Sequence, residues 1–194
     1  MRVSKDKAAE NRRALLQTAS RLFRKHGIGG IGVAEIAKEA GLTHGAVYAH
    51  FASKEALAAE AFAYGLEGNM PRTRTFASGR DASFDDHLDR LLSVEMRDDI
   101  EAGCPMAASA SEIGRQGVAV SASFGQTFEE MVAVLEESMG SEVPGLSRRQ
   151  LAVAAVAAQI GAIAVARAVT KSSTELADEV LESMRETFRA FDQA

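Results

Sequence analysis

Three side chains able to bond a phosphate or a base edge fall within seven residues, in the stretch THGAVYAHFASKEAL: His44, Tyr48 and His50. Between and around them stand Gly45, Ala46 and Ala49, so polar tips project from a piece of chain with little bulk of its own. Small residues let a backbone approach a groove closely; Tyr48 and His50 suit phosphate oxygens, and His44 suits a base edge. His44 and His50 lie six apart and point to different faces of one helix, a poor metal pair. No GxSxG elbow, GxxxxGK[ST] phosphate loop, HExxH or CxxC pair occurs, so no enzymatic activity, cofactor or metal is expected.

Helices must position that segment. Leu15, Leu16, Ala19, Leu22 and Phe23 repeat at the spacing of one helical face, and Gly27 ends their helix. After GIGGIG, the residues Val33, Ile36, Ala37 and Ala40 predict a short second helix stopped by Gly41. Thr43 is the expected N-cap of a third helix over about residues 44 to 51, with Val47 and Phe51 on its inner side. Ser53 is the expected cap of a fourth, running from Lys54 toward residue 68. A short helix, a glycine turn and a second short helix make a helix-turn-helix layout. The same layout occurs in all-α proteins that bind no nucleic acid.

Charge is divided unevenly along the 194 residues. Residues 1–64 hold ten Lys and Arg against six Asp and Glu, while residues 65–194 hold twelve against twenty-one. A basic head on an acidic body is the electrostatic pattern of a nucleic-acid reader. Three prolines, no tryptophan and abundant Ala, Leu and Glu favour an all-α fold. The single cysteine, Cys104, rules out an internal disulfide and fits a reducing, cytoplasmic location. The charged start MRVSKDKAAENRR lacks the apolar run of a secretory signal. Residues 151–166, LAVAAVAAQIGAIAVA, are short for a membrane span and interrupted by Gln159; a buried helix or a subunit interface is the better expectation.

The segment ALLQTASRLFRKHGIGGIGVAEIAKEAGLTHGAVYAHFASKEAL resembles the tetracycline-repressor (TetR) family of bacterial transcription regulators. It carries the elements AxxLFxxxG, VxxIAxxAGL and VYxHFxSKexL in the family's order. The resemblance implies a DNA-binding domain over 1–64, with a three-helix unit that contains the helix-turn-helix, and an effector-binding and dimerisation domain over 65–194. It implies that Thr43 caps the recognition helix, that His44, Gly45 and Ala46 face bases, and that Tyr48, His50 and Lys54 meet phosphates. The partners it implies are double-stranded DNA with a palindromic operator, a second copy of the chain, and a small apolar or amphipathic effector that releases a repressor. Gly32 departs from the family, which usually has Ser or Thr there, and Gly45 with Ala46 offers almost no hydrogen-bonding side chain. A helical ligand-binding or dimerising adaptor without sequence-specific DNA binding is the alternative.

The remainder carries helix signals but less chemistry. Ser83 with Asp86, Ser147 with Gln150 and Ser172 with Glu175 have the spacing of capping boxes. The last opens a helix with Leu176, Val180, Met184, Phe188 and Phe191 on one face. By the resemblance, helices over about 148–169 and 174–191 form a four-helix dimer interface. Candidate effector contacts are His87, Cys104, Phe124, Phe128 and Met131. Cys104 precedes Pro105 at an expected helix start, where a thiolate is favoured, which would suit a redox or electrophile sensor; a small buried residue at a helix start is the default reading. Core packing is likewise the default for His87 and for the two phenylalanines with Met131.

Overall fold

The computed structural model describes residues 5–67, 81–140 and 145–192, and every multi-residue element among them is a helix. The first, α1 (Lys5–Gly30), buries all five residues of the predicted stripe. Its regular winding breaks at Gly27, where φ is +76°, a conformation open to glycine and strained for a side chain. Two short helices follow, α2 (Val33–Glu39) and α3 (His44–Tyr48), and then α4 (Lys54–Glu67). The expected end of α4 near residue 68 lies outside the described residues.

These four helices share a first apolar core made by Leu15, Ala19 and Phe23 of α1, Ile36 and Ala37 of α2, Val47 and Phe51 from α3 and its exit, and Leu57 and Ala61 of α4. A five-residue helix is too short to be stable alone. Its orientation therefore comes from Val47 and Phe51, which are 1% and 2% exposed. Truncating Phe51 to alanine would cost about 3–5 kcal/mol.

The rest of the chain forms α5 (Phe84–Leu91), α6 (Val94–Asp98), α7 (Pro105–Ile113), α8 (Val118–Ser138), α9 (Arg148–Val169) and α10 (Thr174–Asp192). Their second core gathers Leu88, Leu92, Met106, Leu135, Val156, Ile163 and Leu181. Ser83 and Ser147 form complete capping boxes with Asp86 and Gln150. The expected Ser172–Glu175 box does not form, and a single cap one residue on takes its place. Ser173, not Ser172, caps α10, accepting from Leu176 N at 3.1 Å, because Ser172 Oγ instead donates to Val169 O at 2.9 Å at the end of α9. Arg97, 4% exposed, donates to Asp178 at 2.5 Å and so ties α6 to α10.

The face expected of α10 also needs correction. Ala177 and Leu181 carry its core contact at 0% and 1% exposure with Phe188, whereas Leu176 and Phe191 stand 45% and 40% exposed. α9 is long and apolar enough, by length and composition, to cross a membrane. It packs on α8 and α10 through Leu151, Ala155, Val156 and Ile163, and leaves Val153 and Val165 exposed.

The two cores adjoin where α4 packs on α8 and α1 on α7. Ile113 and Val120, from α7 and α8, belong to the first core, and Phe62 of α4 belongs to the second, its ring 5.5 Å from that of Phe124.

Candidate nucleic-acid interface

The turn between α2 and α3 is built from hydrogen bonds that leave little freedom. Leu42 N donates to Ala37 O at 2.8 Å and Gly41 N to Lys38 O at 3.0 Å, with Gly41 at φ +70°. That pair of bonds is a Schellman motif, and its left-handed position explains why glycine ends α2. Thr43 then takes the N-cap position of α3 in extended backbone, and its carbonyl accepts from Ala46 N at 3.0 Å. Its hydroxyl makes no capping bond, so Thr43 caps by backbone position alone. Regular α3 ends at Tyr48 rather than near residue 51. His50 N and Phe51 N both donate to Val47 O, so the chain turns under while Phe51 still reaches the core.

Outward, this unit shows small residues and polar tips. His44, Gly45, Tyr48 and Ala49 are exposed, Ala46 and His50 half-buried, and Tyr48 reaches 51%. A Cβ built on Gly45 meets nothing within 4 Å, so the surface there is open. The rings of His44 and Tyr48, one helical turn apart, meet edge to face at 5.2 Å and 80°. Lys54 begins α4 half-buried, in a turn capped by Ser53, whose Oγ accepts from Ala56 N at 3.1 Å. Thus Thr43, His44, Gly45, Ala46, Tyr48, His50 and Lys54 lie along one short unit: α3, its cap and exit, and the start of α4.

Sequence reasoning missed the support beneath this unit. The Arg12 guanidinium lies 5.0 Å over the ring of Phe51 and pairs with Glu60 of α4. It braces the exit of α3 against α1 and α4. At the start of α2, Gly32 takes the N-cap position with no side-chain bond, and a Cβ there would meet nothing within 4 Å.

The five effector candidates are scattered through the body and its border. Cys104 is buried at the N-cap of α7 with Pro105 first in the helix, and its Sγ accepts from Ala107 N at 3.5 Å. His87 is 2% exposed in α5, where burial, with Arg90 adding to it and Asp86 opposing, pushes its pKa down to about 4. It is therefore neutral near pH 7. Met131 lies in the second core with Phe128 packed against it, and Phe124 borders both cores. A cavity of about 20 Å³ lies elsewhere, between α1, α4 and α7, lined by Ser20, Phe23, Arg24, Phe62, Pro105 and Ser109. Such a volume holds one water-sized group.

Two acidic residues tie the body to α1. Glu101 pairs with Arg21 and Lys25, which hold its carboxyl down at about 2. Glu112 reaches the turn after Gly27.

Residues 15–61 match the family model described as bacterial regulatory proteins, tetR family. The chain is 44% identical over 59 residues to the HTH-type transcriptional regulator AcrR of Shigella flexneri, a match covering 30% of this chain and 27% of that protein. It is 40% identical over 57 residues to TtgR of Pseudomonas putida, covering 29% and 27%. The alignments thus span about a quarter of the length of these relatives. Among solved structures, a TetR transcriptional regulator from Chloroflexus aurantiacus superposes with a TM-score of 0.77 at 24% identity, covering 97% of this chain and 96% of that one. Reduced E. coli NemR gives 0.75 at 20%, covering 93% and 96%. At that identity the likeness shows the fold, which runs through both cores. The segment that builds the helix-turn-helix thus matches the tetR family of bacterial regulatory proteins, and the all-α fold beyond it is shared with solved TetR regulators.

Proposed function

We propose that the chain is a DNA-binding transcriptional repressor that reads a palindromic operator as a homodimer and is released by a small apolar or amphipathic effector. The observation that carries this reading is the outer surface of α3. It is anchored from within by Val47 and Phe51, set by the Gly41 turn, and bare enough at Gly45 for close approach. In a major groove, His44, Gly45 and Ala46 face base edges, while Tyr48, His50 and Lys54 meet phosphates on either side. With few hydrogen-bonding groups at Gly45 and Ala46, methyl contact and DNA shape carry much of the sequence preference.

The dimer reading is supported by the outward faces of α9 and α10, where Val153, Val165, Leu176 and Phe191 are 36%, 49%, 45% and 40% exposed. Exposed Ala157, Gly161, Ala164 and Ala168 between them let helices approach closely. Domain boundaries at 1–64 and 65–194 follow from this division of labour, a reader and a dimerising, ligand-binding body. Two readers held about 34–36 Å apart enter successive major grooves of an inverted repeat.

An effector in the body favours a spacing that does not fit. Driving that population from 1:99 to 99:1 takes about 5.5 kcal/mol of differential binding, spread over two subunits. Gln159 supports such a site: it is 2% exposed in the second core, its Nε2 reaches Leu91 O at 3.5 Å, and its Oε1 has no partner among the described residues. An effector with an apolar body and one hydrogen-bond donor would satisfy that acceptor.

The test is selection of bound duplexes from a random pool at low and near-physiological salt. Enrichment of an inverted repeat with half-sites about one turn apart is expected. An intact helical dimer that enriches nothing would move the reading to an adaptor without DNA recognition.

A further inference from the structure

Two helices, α7 and α8, have an end in each core, and α7 is the shorter. At the start of α7, Cys104 and Met106 lie in the second core; at its end, Ile113 lies in the first. At about 1.5 Å per residue, α7 is a rod of roughly 13 Å between them. Glu112, beside Ile113, places its carboxylate on the turn that closes α1: Oε2 accepts from Ile28 N at 2.8 Å and Oε1 from Gly29 N at 2.6 Å. These amides are free because Gly27, at φ +76°, has broken the helical ladder of α1 just before them. At Gly27 the positive φ selects glycine, and a side chain at Gly27 or Gly29 would push the Glu112 carboxylate off the turn. A Cβ on Gly27 would stand 2.8 Å from Glu112 Oε2, and one on Gly29 3.3 Å from Oε1.

Successive backbone N–H groups converging on one carboxylate form an anion nest, and bonds to an ionised acceptor are stronger than neutral ones. The nest sits at a sensitive place. Ile28 and Ile31 on either side are buried in the first core, and Val33 begins α2 two residues later. The direction in which the chain leaves this turn sets α2, and the Gly41 motif carries that direction to α3.

We propose that the Gly27–Gly29 turn is a receptor for the Glu112 carboxylate, and that Glu112 is a positioning residue for the reading helix which delivers movements of α7 in the body to the reader. This inference rests on the function proposed above. Hydrogen bonds of 2.6–2.8 Å are lost by about 3.5 Å, so a shift of α7 by about 1 Å is enough to release the turn. Lys25 provides an internal contrast. Its pair with Glu101 also joins the body to α1, upstream of the turn and without reaching α2, whereas Arg21 meets both Glu101 and Glu39 at the end of α2.

The experiment compares amide hydrogen exchange of the full chain with that of Glu112→Gln, which keeps the side-chain shape and removes the charge, and of Lys25→Met, which removes a body–α1 pair that does not reach α2. Glu112→Gln is expected to speed exchange about tenfold at Ile28 and Gly29 and onward through α2 and α3, while Lys25→Met leaves α2 and α3 unchanged. On a duplex enriched by the wild-type chain, Glu112→Gln should bind about tenfold more weakly with an unchanged salt slope, since no phosphate contact is lost. Exchange altered only at Ile28 and Gly29, or altered equally in α2 and α3 by Lys25→Met, overturns the proposal. Wild-type affinity in Glu112→Gln overturns it too. A wild-type chain that enriches no duplex refutes the DNA-reading function, and the exchange comparison still decides whether Glu112 positions α2 and α3.

Discussion

The outer face of α3 and the outer faces of α9 and α10 are both exposed, and they are made of opposite materials. α3 shows His44, Gly45, Ala49 and Tyr48, with small gaps between polar tips; α9 and α10 show Val153, Val165, Leu176 and Phe191 around alanines and a glycine. Close approach is possible at both. The first suits a hydrated, charged surface, where small residues admit a backbone and polar tips bond phosphates. The second suits another apolar helix face, because exposing such side chains to water is unfavourable by about 25 cal/mol per Å². On the function proposed, one surface meets nucleic acid and the other a second copy of the chain, and each can be damaged without touching the core beneath the other.

A large effect comes from the second surface. Val165→Glu puts a charge on the exposed apolar face of α9 and should turn dimer into monomer by sedimentation while helicity stays intact. Affinity for an inverted-repeat duplex should then fall about 100-fold or more, because each reader loses the effective concentration supplied by its twin. Unchanged mass and affinity would place the dimer contact elsewhere.

Next in size is the response to acid, which belongs to the body alone. His87 is neutral and buried with a pKa of about 4, against 6.5 when unfolded. The unfolded chain thus binds the extra proton first. Stability is fully present above about pH 6.5, falls as pH drops toward 4, and levels off below that, by a total of about 3 kcal/mol. Glu101, held at about 2 by Lys25 and Arg21, contributes stability that is present above about pH 4.5 and is lost only as pH falls from there toward 2, so the two windows separate. Denaturant titrations between pH 4.5 and 6.5 should show the slope in the wild type and its loss in His87→Gln. Equal slopes in both would mean that His87 titrates normally.

Gln159→Met removes the unpaired acceptor while keeping the volume. It should leave stability within about 1 kcal/mol of wild type or raise it, and should leave duplex affinity alone. A molecule that releases the wild-type chain from its duplex should bind the variant at least about tenfold more weakly by calorimetry. Unaltered effector binding would remove Gln159 from the site.

The smallest effect returns to the reader. Gly32→Ser supplies the hydroxyl that the N-cap of α2 lacks, in open space, and should stabilise the chain by a few tenths of a kcal/mol. Loss of stability would mean that the α2 start depends on glycine for another reason.

Much of the reader was legible in the residues because its devices are local. A left-handed turn selects glycine at position 41, a cap selects Ser53, and two inward residues four apart, Val47 and Phe51, mark which way α3 faces. The paired caps Ser83–Asp86 and Ser147–Gln150 and the Cys104–Pro105 start were legible for the same reason. α10 was not, because two stripes run side by side on it. Alanine adds little to an apolar pattern, so Ala177 was passed over although it is fully buried, while Leu176 and Phe191 drew the stripe toward the exposed face. Ser172 and Ser173 are chemically equal, and only the geometry at the end of α9 chooses between them. Contacts made across the chain leave no periodic trace. The glycines of GIGGIG announced a turn, but nothing near them announced that Glu112, more than eighty residues away, would occupy its free amides.

The most direct test of α3 as the reading element is Gly45→Leu, measured beside the wild-type chain on the enriched duplex across a salt series. The open space over Gly45 accepts the side chain, and leucine favours helix more than glycine does, so the variant should unfold at the same or a higher temperature. Bulk at that position holds the backbone away from the groove. Sequence-specific affinity should fall about 1,000-fold or more, to the level of unrelated DNA, with a residual salt-dependent attraction remaining. A folded Gly45→Leu dimer that binds the enriched duplex as tightly as the wild type would contradict the placement of α3 in the groove.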